Sequence, residues 1–389
     1  MKCTGIDAIT GAWVELSGGA VLQSVEPLVT PGSGASLLAP GFVDIQVNGF
    51  AGADYCSPVT PLELIEHSLN VQFATGVTRL LPTVITGAPG DMLGALRNLA
   101  RAHATLRHGR AMEGFHVEGP HISPNDGPRG AHPRRQDRRP DIEEYRRWQE
   151  AAEGRVKLVT LSPEWPNAPA YIEHLVGDGV VVSIGHLDAT AAQIDDAVRA
   201  GATLSTHLGN GAHQTLPRHP NYLWQQLAED RLNASFIADG IHLDSRFLTV
   251  ALRAKGLERS VLVTDAVMPA GCQPGPYMLG EVEVQLHDAA SESGCQRVTL
   301  RNGDRLAGSA LRMDRGIEFL MKLAGLSLAE AITLATRNPA RVVRIPNRQR
   351  GLQPGERADL VEFDYDKSGP SIRVLNTWLD GELVYTRNS

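Results

Sequence analysis

The sequence predicts an α/β fold: a closed (β/α)8 barrel of the TIM type, beside a small β-sandwich made from both chain termini. Three observations lead there. Eight short β-rich runs recur along the chain, most of them continuously apolar or nearly so, as strands buried on both faces are. Stretches with helix-start signals separate them, and strands alternating with helices make a parallel sheet. The two ends lack that alternation: residues 1–41 are rich in Gly, Val, Leu and Ser without helical periodicity, and residues 350–389 read as strands. A doubly wound open sheet is the rival, and no dinucleotide fingerprint supports it.

The eight runs are Phe42–Val47, Val77–Ile85, Met112–Glu118, Val156–Leu161, Val180–Ile184, Thr203–Thr206, Ala234–Ala238 and Ser260–Thr264. Between them, Thr60-Pro61-Leu62-Glu63 reads as a capping box with proline at the first helical position, and Thr190–Gln193 repeats the logic. Asp91–Leu106, Asp141–Ala152 and Asp244–Lys255 each begin with an acid, which suits a helix N-terminus. Glu281–Leu286 and Arg297–Leu300 read as a β insertion after the eighth strand. Asp359–Phe363 reads as a strand, and Trp378–Tyr385 as two strands joined at the hairpin dipeptide Asp380-Gly381. The charged stretch Asp137–Asp141 reads as a solvated loop. The expected division is 42–348 for the barrel and 1–41 with 349–389 for the sandwich.

Composition narrows the function classes. The chain has 389 residues, with 37 Lys and Arg against 44 Asp and Glu, a net charge of −7. That balance argues against nucleic-acid binding through a basic surface. No apolar run approaches the roughly 18 residues needed to span a bilayer, and Met1–Asp7 has no apolar signal region. Four widely spaced cysteines without a C-x-x-C pair argue against a disulfide framework or a cysteine zinc site. The expectation is a reduced, cytoplasmic protein that touches neither nucleic acid nor membrane.

In such a barrel the chemistry sits at the C-terminal ends of the strands. There the runs deliver Gln46 and Asn48, Glu118, His186, His207, Asp239 to His242, and Asp265. Each has a bland alternative: a structural histidine, a buried acid paired with arginine, a carboxylate capping the next turn. Together, Glu118, His186, His207 and Asp265 suggest a divalent metal held by two imidazoles and one carboxylate, with one position open for water. Asp265 stands at the level where a general base would act. His116 shares the strand face of Glu118 and is expected beside the ligands rather than among them.

The sequence resembles the amidohydrolase superfamily, and within it the N-acetylglucosamine-6-phosphate deacetylase family. The resemblance covers nearly the whole chain. It rests on Pro40–Gly49, Leu81–Thr83, Phe115–Pro120, Gly130–Pro133, Ser183–His186, Ser205–Leu208, Ala238–His242, Val263–Ala266, Leu306–Ser309 and Ala335–Ala340, in that order. It implies Glu118, His186 and His207 as ligands of one divalent ion per subunit, zinc by expectation, with iron, cobalt or manganese as alternatives. It implies Asp265 as catalytic acid and base, and His242 as the group that polarises the amide carbonyl. Ala131, His132, Asn210, Gly211 and the Asp239-Gly240-Ile241-His242 turn would line the sugar and phosphate site, and Leu306-Ala307-Gly308 would close over it. Arg218 stands where the family places a phosphate-binding arginine that reaches across a homodimer. The implied reaction is hydrolysis of the N-acetyl group of an amino-sugar phosphate. Where many superfamily members carry two histidines for a second metal, this chain has the amides Gln46 and Asn48, so one metal is expected. Gly209–His213 also departs from the family's usual pattern beside the sugar, and the loop Ser123–Arg129 is longer than usual. Two rivals remain: an amidohydrolase acting on another N-acyl, cyclic-amide or acetylated-sugar substrate, and a metal-free barrel that serves binding or assembly.

Overall fold

The structure is a computed structural model that describes residues 1–29, 36–280, 282–289, 294–366 and 368–387. Eight parallel strands form its centre: β1 (Phe42–Val47), β2 (Val77–Ile85), β3 (Phe115–Glu118), β4 (Val156–Leu161), β5 (Val181–Ile184), β6 (Leu204–Ser205), β7 (Asn233–Ile237) and β8 (Ser260–Val263). They pair in sequence order from β1 to β8. The ring closes just beyond the last strand, where Val47 bridges Ala266 in parallel. There the Asn48 amide donates to the Ala266 carbonyl at 2.7 Å, and Asp265 N–H to the Gln46 carbonyl at 2.9 Å.

A helix follows each strand: α1 (Leu62–Phe73), α2 (Pro89–Thr105), α3 (Ile142–Ala151), α4 (Ala168–Gly177), α5 (Ala191–Arg199), α6 (Tyr222–Ala228), α7 (Ser245–Lys255) and α8 (Met313–Ala324). Strand residues alternate between two apolar layers. Phe115, Val117, Val159 and Phe236 pack outward under the helices. Val43, Ile45, Leu81, Leu158, Val181, Leu204, Ile237 and Val261 fill the interior with Val342 and Ile345. A packed apolar plug leaves the strand C-termini as the place where polar side chains converge.

The boundaries moved where local chemistry competed with pattern. The third run begins at Phe115 rather than Met112, because Gly109–Ala111 turns as a short 3-10 helix. The capping box expected at Thr60 does not form. Thr60 Oγ1 donates to the Asp54 carbonyl at 2.6 Å instead, and α1 starts after Pro61. Asp91 is not a helix start, since Pro89 already lies inside α2. Thr190 with Gln193 does form the capping box, and Asp141 and Asp244 cap their helices. The stretch Asp137–Asp141 is no simple solvated loop. Arg138 is held by Glu144 and by the carbonyls of Gly87 and Gln136, and burial lifts the Asp137 carboxyl to about 6.

Between β8 and α8 lies a four-stranded antiparallel sheet, Gly275–Leu279, Val282–His287, Arg297–Leu300 and Leu306–Ser309. Glu281, the expected start of that insertion, lies outside the described residues. Both chain ends join one seven-stranded sheet, built from Lys2–Asp7, Trp13–Gly18, Leu22–Pro27, Leu37–Pro40, Leu360–Asp366, Ser371–Leu379 and Glu382–Thr386. Asp380 and Gly381 turn the last hairpin with φ of 49° and 75°, as a two-residue turn of this kind requires. None of the four cysteines, Cys3, Cys56, Cys272 and Cys295, is in a disulfide. Among the described residues no helix is long and apolar enough to cross a membrane.

Barrel and terminal sheet are joined by buried charge. Arg79 of β2 meets Asp359 through Nε at 2.8 Å and Nη2 at 3.0 Å. It also reaches Asp380 at 2.6 Å and Glu113 at 3.2 Å. Burial opposes ionisation of Asp359, but the charges of Arg79 and Arg348 outweigh it and hold the carboxyl below its usual range. Asp359→Ala would leave two buried guanidiniums short of a partner. The expected cost is about 3–5 kcal/mol in urea unfolding. A loss below about 1 kcal/mol, the range of an exposed ion pair, would refute a structural role for this link.

Candidate active site

Glu118 ends β3, His186 follows β5 by two residues, and His207 follows β6 by two. Beyond β5 and β6 the backbone leaves the extended conformation. His186 has φ of 49° and His207 of 27°, and Asp265, two residues past β8, has 49°. Left-handed backbone is uncommon away from glycine and costs about 1–3 kcal/mol per residue. Three such residues at equivalent strand ends turn their side chains into the barrel mouth.

The ligand atoms of Glu118, His186 and His207 lie within 4.8 Å of one another, all buried. Glu118 Oε1 stands 2.9 Å from His207 Nε2 and 3.3 Å from His186 Nε2, and the two imidazole nitrogens are 3.1 Å apart. The Pro128 carbonyl lies 2.8 Å from His186 Nδ1 and so takes that nitrogen's proton as its hydrogen bond. This leaves the Nε2 lone pair aimed at the other two atoms. Two or three electron-pair donors crowded together in a buried space call for a cation. Burial alone would raise Glu118, yet its contacts with both imidazoles hold it well below the usual carboxylate range. Burial would lower His207, and the adjacent Glu118 raises it.

Two other groups face the same space. Asp265 Oδ1 accepts from Asn48 Nδ2 at 2.7 Å. Burial, with the charge of Glu118 nearby, raises its carboxyl to about 6. His242 Nδ1 lies 2.6 Å from Asp239 Oδ2, while Asp239 Oδ1 accepts the backbone N–H of Ile241 and His242, each at 2.8 Å. Burial works against ionisation of Asp239, but the hydrogen bond and charge of His242 hold its carboxyl low. The chain therefore offers a buried carboxylate to orient an imidazole, the arrangement that fixes a catalytic histidine.

A cavity of about 360 Å³ joins these groups. Glu118, His186, His207, Asp265 and His242 line it, as do Asn48, Ala131, His132, Asn210, Gly211, and Leu306-Ala307-Gly308 of the inserted sheet. His132 Nδ1 lies 2.7 Å from Thr86 Oγ1, its ring rests 4.4 Å from the His186 ring, and burial pushes its pKa down to about 3. Gly240 and Ile241 do not line the cavity, and Asp239 acts on it through His242. Arg218 is exposed, between β6 and α6, and lies outside the lining of its own chain's cavity. Gln46 is buried beneath the cavity and accepts from Thr206 Oγ1 at 2.8 Å. His116 shares the strand face of Glu118 but is not one of the ligand group, and its Nε2 lies 2.7 Å from Thr160 Oγ1.

Sequence reasoning missed several contributors. The Pro128 carbonyl carries no side-chain signature. The tight fit of Gly211 was also invisible: a Cβ there would lie 2.6 Å from His186 Nδ1. Asp44 was visible, as a charge inside an apolar run. It accepts from Thr264 Oγ1 at 2.5 Å, and burial raises its carboxyl to about 7.

Residues 37–384 match the amidohydrolase family model. N-acetylglucosamine-6-phosphate deacetylase of Bacillus subtilis (strain 168) is 32% identical over 85% of this chain and 81% of its own. N-acetylgalactosamine-6-phosphate deacetylase of Shewanella sp. (strain ANA-3) is 34% identical over 90% and 83%. The crystal structure of N-acetyl-D-glucosamine-6-phosphate deacetylase from Mycobacterium smegmatis superposes with a TM-score of 0.85 at 30% identity, covering 98% of both chains. With a matching barrel, a matching family model over most of its length and these relatives, the chain belongs to the amidohydrolase family.

Proposed function

We propose that this chain hydrolyses the N-acetyl group of an amino-sugar phosphate, with N-acetylglucosamine 6-phosphate as substrate and glucosamine 6-phosphate and acetate as products. The observation that carries the chemistry is the joint placement of Glu118, His186 and His207 with Asp265 and His242 on one cavity. The substrate class follows the relatives, whose names divide between the gluco and galacto sugars.

Glu118, His186 and His207 would hold one divalent ion, zinc by preference for two imidazoles and a carboxylate. Such an ion supplies Lewis acidity toward water and a carbonyl oxygen. The remaining work belongs to the chain. Asp265, raised toward neutrality, takes a proton from the attacking water and returns it to the departing amine. His242 donates from Nε2 to the amide oxygen as charge grows there. Gln46 and Asn48 are read as positions without a second ion. Residues 42–348 are assigned to the hydrolase barrel and 1–41 with 349–389 to the terminal sheet. A homodimer is proposed as the working form, because an exposed Arg218 outside its own cavity suits service to a neighbouring subunit.

Two measurements test this reading. Asp265→Asn should lower kcat by about 10²–10⁴-fold while metal content by mass spectrometry stays unchanged. Near-normal turnover in that variant would remove Asp265 from the proton path. Gly211 has φ of 55°, and its added methyl would press on His186. Gly211→Ala should therefore weaken metal affinity about 10–100-fold in chelator competition, and unchanged affinity would show that His186 is not a ligand. Acetate release from the gluco and galacto 6-phosphates, run side by side, identifies the sugar.

A further inference from the structure

We propose that the cavity takes acyl groups longer than acetyl, and that the inserted sheet between β8 and α8 supplies the wall that binds their carbon chain. The proposal rests on the functional reading above and names the acyl part of its substrate.

The two sides of the cavity differ in chemistry. One side is polar and gathers over His186. The His132 ring rests on the His186 ring, and a Cβ on Gly211 would lie 2.6 Å from His186 Nδ1. Asn210 belongs to the same lining. The other side is aliphatic and begins at Asp265. Ser309 N–H donates to the Asp265 carbonyl at 3.1 Å, and Val267 N–H to the Ser309 carbonyl at 3.0 Å. The inserted sheet thus continues outward from the proposed proton acceptor. Within it Leu279 pairs with Val282, and Val284 with Leu300. Paired residues share a face, as do residues two apart along one strand, so these four side chains form one surface. All four line the cavity, and so does Val267. Strands β5 and β8 stand three places apart in the ring, which sets the polar and aliphatic sides across its mouth.

Substrate chemistry chooses between them. Sugar hydroxyls and a phosphate lose hydrogen bonds against an aliphatic surface, at a cost in affinity, so they belong on the polar side. That turns the acyl carbons toward the sheet. A single acetyl methyl covers little of four branched side chains. Val282 keeps 38% of its surface exposed, and Leu279 and Leu300 are half-buried, which leaves apolar area for a longer chain to cover. The reaction is the same at any acyl length. The oxygen of water bonds to the acyl carbon, the C–N bond breaks, and the proton held by Asp265 passes to the amine as the carboxylic acid leaves. Each added methylene that reaches the sheet is worth about fourfold in binding.

The test compares N-acetyl, N-propionyl and N-butyryl derivatives of the hexosamine 6-phosphate that the acetate assay identifies, with zinc-loaded full-length protein and free amine as the readout. From acetyl to butyryl, kcat/KM should rise by up to about fourfold per methylene, through KM rather than kcat. Val282→Ser and Leu300→Ser should each lower the butyryl-to-acetyl ratio of kcat/KM by about fourfold. A series that stays flat or falls with chain length, while acetyl is hydrolysed, overturns the proposal and leaves the functional reading standing. Equal losses on acetyl and butyryl in both variants overturn it as well, since a merely structural effect does not follow acyl length. If no member of the series releases amine, the functional reading fails and the proposal falls with it.

Discussion

A buried carboxylate placed against two imidazole nitrogens is the constraint on which this structure depends. Glu118, His186 and His207 are nearly inaccessible to water, and a charge removed from water needs a partner or a cation. The fold cannot relieve the crowding by rotating His186, because the Pro128 carbonyl holds its far nitrogen and Gly130 and Gly211 pack against its ring. Nor can the strand ends relax, since the left-handed residues are pinned by barrel hydrogen bonds. His207 N–H donates to Ser235 Oγ and Asp265 N–H to the Gln46 carbonyl. The conformational cost at these positions is the means by which three ligand atoms from different strands meet.

Beneath the ligands lies a polar layer that ties the closing strands together. Asp44 of β1 accepts from the backbone and hydroxyl of Thr264, just past β8. Gln46, also on β1, accepts from Thr206, which precedes His207. Thr83 Oγ1 on β2 accepts the Val47 amide and lies 3.4 Å from His116 Nδ1. Buried polar groups must find partners, and these find them across strand boundaries. The registers that set Asp265 and His207 in space are therefore fixed by side chains as well as by the ladder. Below this layer the apolar interior gives the site a rigid floor.

The parts legible in the sequence were those whose signal is local. Strands such as Val77–Ile85 and Val156–Leu161 match to the residue, because burial on both faces leaves a largely apolar run. Glu118, His186, His207 and Asp265 were legible because polar residues at strand ends break that run. The capping pattern at Thr60 was not decisive, since the Asp54 carbonyl competed for the same hydroxyl. Contacts made by backbone, such as Pro128 to His186 across 58 residues, leave no mark on residue type.

Asn48 shows how position and chemistry separate. Read as a sequence position, it is an amide where a metal-binding imidazole would stand in many superfamily members. In the fold its Nδ2 is committed to Asp265, and Gln46 commits its oxygen to Thr206. On the proposed single-ion reading these commitments favour catalysis. A carboxylate that ligates a second cation has its charge drawn away and is a poor proton acceptor. Asp265 instead receives one neutral hydrogen bond on one oxygen and keeps the other for the proton. The same burial that raises its carboxyl to about 6 brings its basicity nearer to what proton transfer at neutral pH requires. Exchanging a ligand for an amide thus preserves the group that a one-metal amidase needs most, a carboxylate free to take up a proton and give it back.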